Sequence, residues 1–350
     1  MVQDPELAIG ILAYNEESRI RETLHGLFAQ DVFSILSTEV IVVPNGCTDE
    51  TAKVAGEELL RHKTVWSARG SARVEELTSA GKSNAWNQFI HTLSSPRAPV
   101  LVLMDADIVL VRANTISSMV TTLKNSARAV VCVDRPVKDI EIHRPRSLFQ
   151  RLLAAATAEI DPNNLPLCGQ LYCARSERLR QITLPIDIAG PEDGFIRALL
   201  LTDGFTRPED GQRIVLDPNA LHVFTSVATL RELYKHEVWL VTGSIVNMFL
   251  FERFAVECTA EQSAMSLMKI WQEQDPHWLR GYTQSQARKR GWRLLPRSWW
   301  TRRISRLRTL PLTLRIRKLP VALAATLMDM LIYVTAIRNV RAGRFGNWAR

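Results

Sequence analysis

Residues 100–109 read VLVLMDADIV: five apolar side chains run straight into Asp105 and Asp107. The apolar run has the composition of a strand buried on both faces, as in a parallel sheet covered by helices. Open α/β sheets bind their ligands at the carboxyl ends of their strands, which is where this strand delivers two carboxylates. Two unpaired acids there would repel each other. A hard divalent cation with oxygen ligands resolves the repulsion and could also hold a diphosphate. The segment also reads as a strand whose trailing acids cap the next helix, and its residues alone leave both readings open.

Working outward, strand and helix signals alternate. Leu7–Ala13 (LAIGILA) is a short apolar run broken by Tyr14-Asn15-Glu16-Glu17, after which Ile20, Leu24, Leu27 and Phe28 recur at helical spacing. Val40–Val43 reads as a second strand, stopped by Pro44-Asn45-Gly46. Thr48 is the expected N-cap of the next helix, with Asp49 and Glu50 in a first turn that favours acids. Gly81-Lys82-Ser83 opens another helix, whose Trp86, Phe89, Ile90 and Leu93 share a face, and Ala129–Val133 is a further strand. The alternation predicts an α/β fold, a mainly parallel sheet sandwiched by helices.

In such a sheet the strand ends share an edge, so Tyr14–Glu17, Asn45–Asp49 and Asp105 with Asp107 converge although they are far apart in sequence. Lys82 either adds a cation for a phosphate at that edge or is an ordinary solvated lysine. Gly190-Pro191-Glu192-Asp193-Gly194 opens a helix carrying Phe195, Ile196, Leu199 and Leu200. Alone, its acids read as helix capping. Facing a metal-bound diphosphate, one of them is the base that takes a proton from an acceptor hydroxyl.

The chain has 350 residues, 46% hydrophobic and 23% charged, which suits a folded protein with a sizeable core. No charged-then-apolar leader precedes Leu7, so the cytoplasm is the expected compartment. Cys47, Cys132, Cys168, Cys173 and Cys258 are odd in number and form no CxxC pair. That pattern suits reduced structural thiols better than a disulfide framework or a zinc site.

Charge is unevenly placed. From Pro276 to the last residue there are seventeen Lys and Arg against one acid, Asp329, a net of +16 in a chain whose total is +8. Residues 1–275 therefore carry −8, a mildly acidic body with a basic appendage. Such asymmetry points to a polyanionic surface, nucleic acid or anionic lipid.

Strand signals fade after Val227. Residues 227–254 and 259–272 read as helices, Pro276–Lys318 as irregular and basic, and Leu319–Ile337 as a final apolar stretch of bilayer-spanning length. Trp271, Trp278, Trp292, Trp299 and Trp300 interleave with Arg and Lys, a pairing that favours the bilayer interface. Asp329 near the centre of the apolar stretch opposes a true span, at a cost of roughly 2.5–3.5 kcal/mol. An interfacial helix is expected, with a helix covering the body's own core as the other reading. Basic residues with aromatics can bind single strands, but no nucleic-acid module is recognisable and none is expected as partner.

The order of motifs resembles a family. AYNEE at 13–17, VPNGCTDET at 43–51, GKSNAWN at 81–87, Asp105-Ala106-Asp107 and PEDG at 191–194 look like the family 2 inverting glycosyltransferases, whose Rossmann-like fold is called GT-A. The likeness covers roughly residues 7–240. It implies a catalytic domain over residues 1–240 and leaves 241–350 as a helical, membrane-associating region.

The resemblance implies that Tyr14, Asn15 and Glu16 line the nucleotide pocket, joined on the donor side by Asn45, Asp49 and Lys82. Asp105 would contact the ribose or the metal shell, and Asp107 would ligate Mg²⁺ or Mn²⁺ bridging the diphosphate. Asp193 would be the general base, with Glu192 orienting substrate. His222 looks like the late histidine some GT-A enzymes use as a further metal ligand; a satisfied, partly buried histidine is the other reading.

Two departures stand out. Pro44-Asn45 occupy places where the family often has paired acids, so the donor base is open. Arg231-Glu232-Leu233-Tyr234-Lys235-His236-Glu237-Val238-Trp239 is only a loose version of the family's later Arg-Trp motif. His25, His62, His91, His143 and His277 show no metal-ligand spacing and receive no role.

The expected activity is metal-dependent, inverting transfer of a sugar from a nucleotide diphosphate donor to a hydroxyl, on a lipid, lipid-linked saccharide or small acceptor, at the inner face of the cytoplasmic membrane. A nucleotidyltransferase would share such a sheet but carry a Gly-rich phosphate loop where this chain has AYNEE. A non-catalytic basic adaptor for membrane or nucleic acid is the remaining alternative.

Overall fold

The computed structural model describes residues 4–142, 161, 164–188 and 190–345. His143 and the indole of Trp292 lie outside the described residues. The chain divides into two compact units. One comprises residues 1–186, 193–226 and 258–270; the other comprises 187–192, 227–257 and 271–350. The change of unit thus falls at Val227, ahead of the boundary expected at 240, because Leu230–Glu257 is one unbroken helix.

The first unit is built on an eight-stranded sheet: β1 (Leu7–Ala13), β2 (Thr38–Pro44), β3 (Ser71–Val74), β4 (Val100–Asp105), β5 (Ile108–Leu110), β6 (Val131–Lys138), β7 (Leu171–Arg175) and β8 (Ile214–Phe224). Their order across the sheet is β3-β2-β1-β4-β7-β6-β8-β5. Every residue of β1 and β2 is buried, which is why these strands are continuous apolar runs without alternation. Ile9, Ile11, Val40, Val42, Val102 and Met104 share one core with Leu24 and Leu27 of the helix Ile20–Phe28 and with Ile116 and Met119 of the helix Thr115–Asn125.

The sheet is mixed, and mostly parallel. β1 pairs in parallel with β2 and β4, β2 with β3, and β6 with β8; β7 runs antiparallel between β4 and β6, and β5 antiparallel along β8. Register places the site. Leu12 aligns with Asp105 and Ala13 with Pro44, so the loops after β1, β2 and β4 leave from one edge. Because β7 is antiparallel, with Leu171 opposite Met104, the chain enters it at that same edge. Cys168, Gly169 and Gln170 are thereby delivered beside Asp105.

Local structure departs from expectation in several places. The helix after β2 begins at Thr51, not after Thr48; Glu50 is its N-cap, and Asp49 accepts the Thr51 N–H at 3.1 Å. The helix Lys82–Gln88 runs into a π-turn, Phe89–Leu93, that still buries Trp86, Phe89 and Ile90.

The second unit is helical, with Leu230–Glu257, Trp278–Arg290, Arg297–Arg308 and Leu312–Ala342 as its long elements. Residues 276–318, expected to be irregular, are thus mostly helix. Pro296 and Pro311 stand at N-caps, where the missing N–H breaks no intrahelical bond, so these prolines start helices rather than end them. Ile245 and Phe249 pack with Ala287, Leu295, Tyr333 and Ile337 in its core.

Among the described residues, the tryptophans of this stretch pack against other side chains of the second unit. Trp278 is buried, Trp271 stacks on Phe254 with the Arg253 guanidinium 3.5 Å above its ring, and Trp299 and Trp300 lie against Tyr333. Indoles offer the largest apolar area per side chain, and this small unit uses them to join its helices.

Candidate active site

The edge at which β1, β2 and β4 end carries three interlocked loops. Asn15 is left-handed (φ 53°), a conformation an Asn tolerates better than most residues, and its Oδ1 accepts the Thr48 N–H at 2.8 Å. The Glu16 N–H donates to Thr51 Oγ1 at 2.8 Å, the Glu17 N–H to Asp49 Oδ2 at 3.1 Å, and the Glu50 N–H to Glu17 Oε2 at 3.1 Å. Burial pushes the Asp49 carboxyl up, but hydrogen bonds from the Thr51 hydroxyl and from the Glu17 and Thr51 N–H groups outweigh it and hold it below its ordinary value. Tyr14 and Glu16 are half-buried and Asn15 is exposed.

Asn45 works as a pin. It is 3% exposed; its Nδ2 donates to the Ala13 carbonyl at 2.7 Å and its Oδ1 accepts the Gly81 N–H at 3.0 Å. Next to it Gly46 has φ +60°, and a Cβ there would lie 2.5 Å from the Ala80 nitrogen. The turn after β2 therefore clasps the loop that delivers Lys82. Lys82 in turn sets its Nζ 2.8 Å from Asp105 Oδ1, so it belongs to the acidic edge rather than to open solvent. Asp107 has Arg19 as its cation, at 3.5 Å.

Asp193 occupies the first turn of the helix Glu192–Thr202, and its Oδ2 accepts the Gly169 N–H at 3.2 Å. Asp105 donates its own N–H to the Gln170 carbonyl at 2.9 Å. Asp193 and Asp105 thus touch successive residues of one short segment. Cys168, which opens it, registers their convergence: its thiol is pushed up to about 12, first by burial and then by the negative charges of Asp193, Asp134 and Asp105. Glu192 is buried, and the segment leading to it is fixed by Gly190 (φ +72°), where a Cβ would lie 2.5 Å from Gly243 Cα.

His222 is completely buried, with Nδ1 2.7 Å from Asp134 Oδ2 and Nε2 3.3 Å from Gln170 Oε1. A metal-ligating imidazole characteristically holds a carboxylate through its other nitrogen. Asp134 Oδ1 is buried without a hydrogen-bond partner among the described residues. Asp105, Asp107 and His222 are of the oxygen and imidazole donor types that Mg²⁺ or Mn²⁺ takes, but among the described residues they are not gathered as a metal-ligand cluster.

Arg19, Asp134, Cys168 and Gln170 are participants that the motifs did not single out. Asp134 had a readable signal, because the run from Val130 to Val133 ends in an acid just as β4 does. Arg231, Lys235 and His236 lie on the helix Leu230–Glu257, in the other unit. His25 and His62 come together with Glu58, their ligand atoms within 4.8 Å of one another. Glu58 Oε2 is already held at 3.0 Å by both Arg21 and Arg61, and a third cation there would meet two guanidinium charges.

Residues 8–179 match the family described as Glycosyl transferase family 2. No curated protein sequence matches the chain. Among solved structures it is similar to the mannosyltransferase PcManGT from Pyrobaculum calidifontis, in complex with GDP-Man and Mn²⁺, at a TM-score of 0.56 and 17% identity over 97% of this chain and 87% of that one. Weaker likenesses are to S. aureus TarS in complex with UDP (TM-score 0.46, 16% identity, 97% and 92% covered) and to glucosyl-3-phosphoglycerate synthase from Mycobacterium tuberculosis (TM-score 0.45, 17% identity, 69% and 80% covered). The sheet edge described above lies within the matched residues up to Gln170, and the fold is that of the GT-A enzymes. The chain carries a glycosyl transferase family 2 domain and is a glycosyltransferase.

Proposed function

We propose that the chain is a metal-dependent, inverting glycosyltransferase that moves a sugar from a nucleotide diphosphate donor to a hydroxyl on a lipid or lipid-linked saccharide, working peripherally at the cytoplasmic face of the membrane. One observation carries the reading of the chemistry: Asp105, from the end of β4, and Asp193, from a distant helix, are hydrogen-bonded to the successive residues Gln170 and Gly169. The basic tail supports the reading of the acceptor's setting.

Mg²⁺ or Mn²⁺, held by Asp107 and His222 with Asp105 alongside, would supply Lewis acidity against the charge of the departing diphosphate. The remaining work falls to the protein. Tyr14, Asn15 and Glu16 line the nucleotide side of the edge, with Asn45 and Asp49 fixing the loops that carry them. Lys82 and Arg19 place cations where the leaving group gathers charge. Asp193 takes the acceptor hydroxyl's proton while Glu192 orients that acceptor. The acceptor oxygen bonds to the anomeric carbon as the bond from that carbon to the diphosphate oxygen breaks, and a single in-line displacement inverts the centre.

A thermal-shift screen of UDP-, GDP- and dTDP-sugars with Mn²⁺, followed by transfer to a polyprenyl phosphate and assignment of the product anomer, tests the proposal. Stabilisation by one donor and an inverted product are expected. Failure of every donor to bind, or a retained anomer, would overturn it.

A further inference from the structure

We propose that the outer face of the helix Leu312–Ala342 is a docking surface for an anionic lipid bilayer and lies along that bilayer rather than across it. Leu312, Ile316, Leu319, Leu323, Leu327 and Leu331 recur at three- and four-residue steps, so they form a single stripe. All six are 45–67% exposed. The stripe is about 30 Å long at the helical rise, far more contiguous apolar surface than a solvated monomer ordinarily shows. The C-terminal half of the helix is engaged, with Ile332, Tyr333, Ala336, Ile337 and Val340 in the second unit's core, while residues 312–324 include no buried side chain. With its C-terminal half held in the protein, the helix cannot face lipid all round along its length as a span would, whereas its exposed N-terminal half suits the membrane interface.

Charge selects the occupant. Arg315, Arg317 and Lys318 lie on this helix, and Arg306 and Arg308 end the one before it. Asp329, the sole acid after residue 276, is held from two sides, its Oδ1 3.0 Å from Arg302 Nη2 and its Oδ2 3.0 Å from Arg303 Nε. Asp329 therefore turns inward with its charge matched, which removes the main objection to burying the neighbouring leucines in lipid. After residue 276 Asp329 is the one acid and it is already paired, so like charges oppose the pairing of two copies face to face. An anionic leaflet complements it.

The inference names the partner of the membrane-surface reading above but stands on the second unit alone, and its test needs neither donor nor turnover. The full chain is sedimented with phosphatidylcholine vesicles, with and without phosphatidylglycerol, and its mass in solution is measured by light scattering. The expected result is binding only to the anionic vesicles, weakened by salt. In Leu323→Ser/Leu327→Ser, whose altered side chains are exposed and leave the circular dichroism unchanged, binding should fall at least about tenfold. Arg317→Gln/Lys318→Gln should weaken it with a smaller salt dependence. Wild-type protein left in the supernatant, equal binding by the leucine variant, or a dimer that the leucine variant dissolves would each overturn the proposal.

Discussion

Lys82 Nζ stands 2.8 Å from Asp105 Oδ1, so the first acid at the end of β4 comes with its own counter-ion, brought by a loop that the turn after β2 holds in place. Either group alone would leave a charge at the sheet edge. Together they form a site able to share that cation with a phosphate. Replacing Lys82 by Met should raise the donor KM about tenfold, the loss expected for one charge-assisted contact, with a smaller effect on kcat. Initial rates across donor concentrations check this; an unchanged KM would remove Lys82 from the donor site.

Asp193→Asn keeps an oxygen for the Gly169 N–H but loses the basic carboxylate. We expect kcat to fall roughly 10²–10⁴-fold, the usual worth of a general base, with donor affinity within about twofold. Turnover near the wild-type level would mean that another group takes the proton.

His222 and Asp134 form a pair with no solvent exposure. Asp134→Asn should weaken Mn²⁺ binding about 10–100-fold, as loss of a carboxylate behind a ligating imidazole does elsewhere. Manganese titration followed by electron paramagnetic resonance measures it. Unchanged affinity would make the pair purely structural.

Gly190→Ala adds a Cβ 2.5 Å from Gly243 Cα, at a backbone φ of +72°. Two penalties combine, strain and overlap, for an expected destabilisation of about 2–4 kcal/mol. The segment that must shift runs directly into Glu192 and Asp193, so kcat should drop more than donor affinity. Denaturant midpoints measured beside steady-state rates separate the two effects.

Burial pushes Asp329 up, but its bonds from Arg302 and Arg303 outweigh this and leave its carboxyl below the ordinary value. A lowered folded value means that the stabilisation is fully present above the unfolded pKa, near 3.9, and fades as pH falls through the folded one. Asp329→Asn should cost roughly 1–3 kcal/mol at neutral pH, less than a fully enclosed pair because the arginines are partly solvated. The gap in Tm between the two proteins should close below about pH 4.

Much of the sheet edge that carries the candidate site was legible in the sequence. β1, β2 and β4 are buried on both faces, and such strands write themselves as unbroken apolar runs whose ends are marked by the polar residues that follow. Lys82 and Asp193 could be named from motif order, although no spacing rule predicts that Lys82 would pair with Asp105. Asp134 and Gln170 escaped notice because β7 is inserted antiparallel, and a single sequence carries no signal for which strand will slip between two others. The stretch 276–318 was misread for a local reason: its prolines look like breakers until their position at helix starts is known. For the tryptophans, composition reports a preference for interfaces but not whether a neighbouring helix has already covered the ring.

The two units are threaded through one another along the chain. It leaves the first unit at Asp187, returns at Asp193, departs again at Val227, comes back for residues 258–270 and departs for good at Trp271. That late return is no idle loop, since the Ala264 N–H donates to the Gly204 carbonyl at 2.8 Å and a Cβ on Gly204 would collide with Met265. A cut anywhere before residue 258 therefore removes part of the sheet's unit, and a cut after residue 270 strips the helix Leu230–Glu257 of the later helices it packs against. A ribosome must finish residues 258–270 before the sheet's unit has all its parts, and a stop codon near residue 240 should yield an insoluble fragment rather than a smaller enzyme.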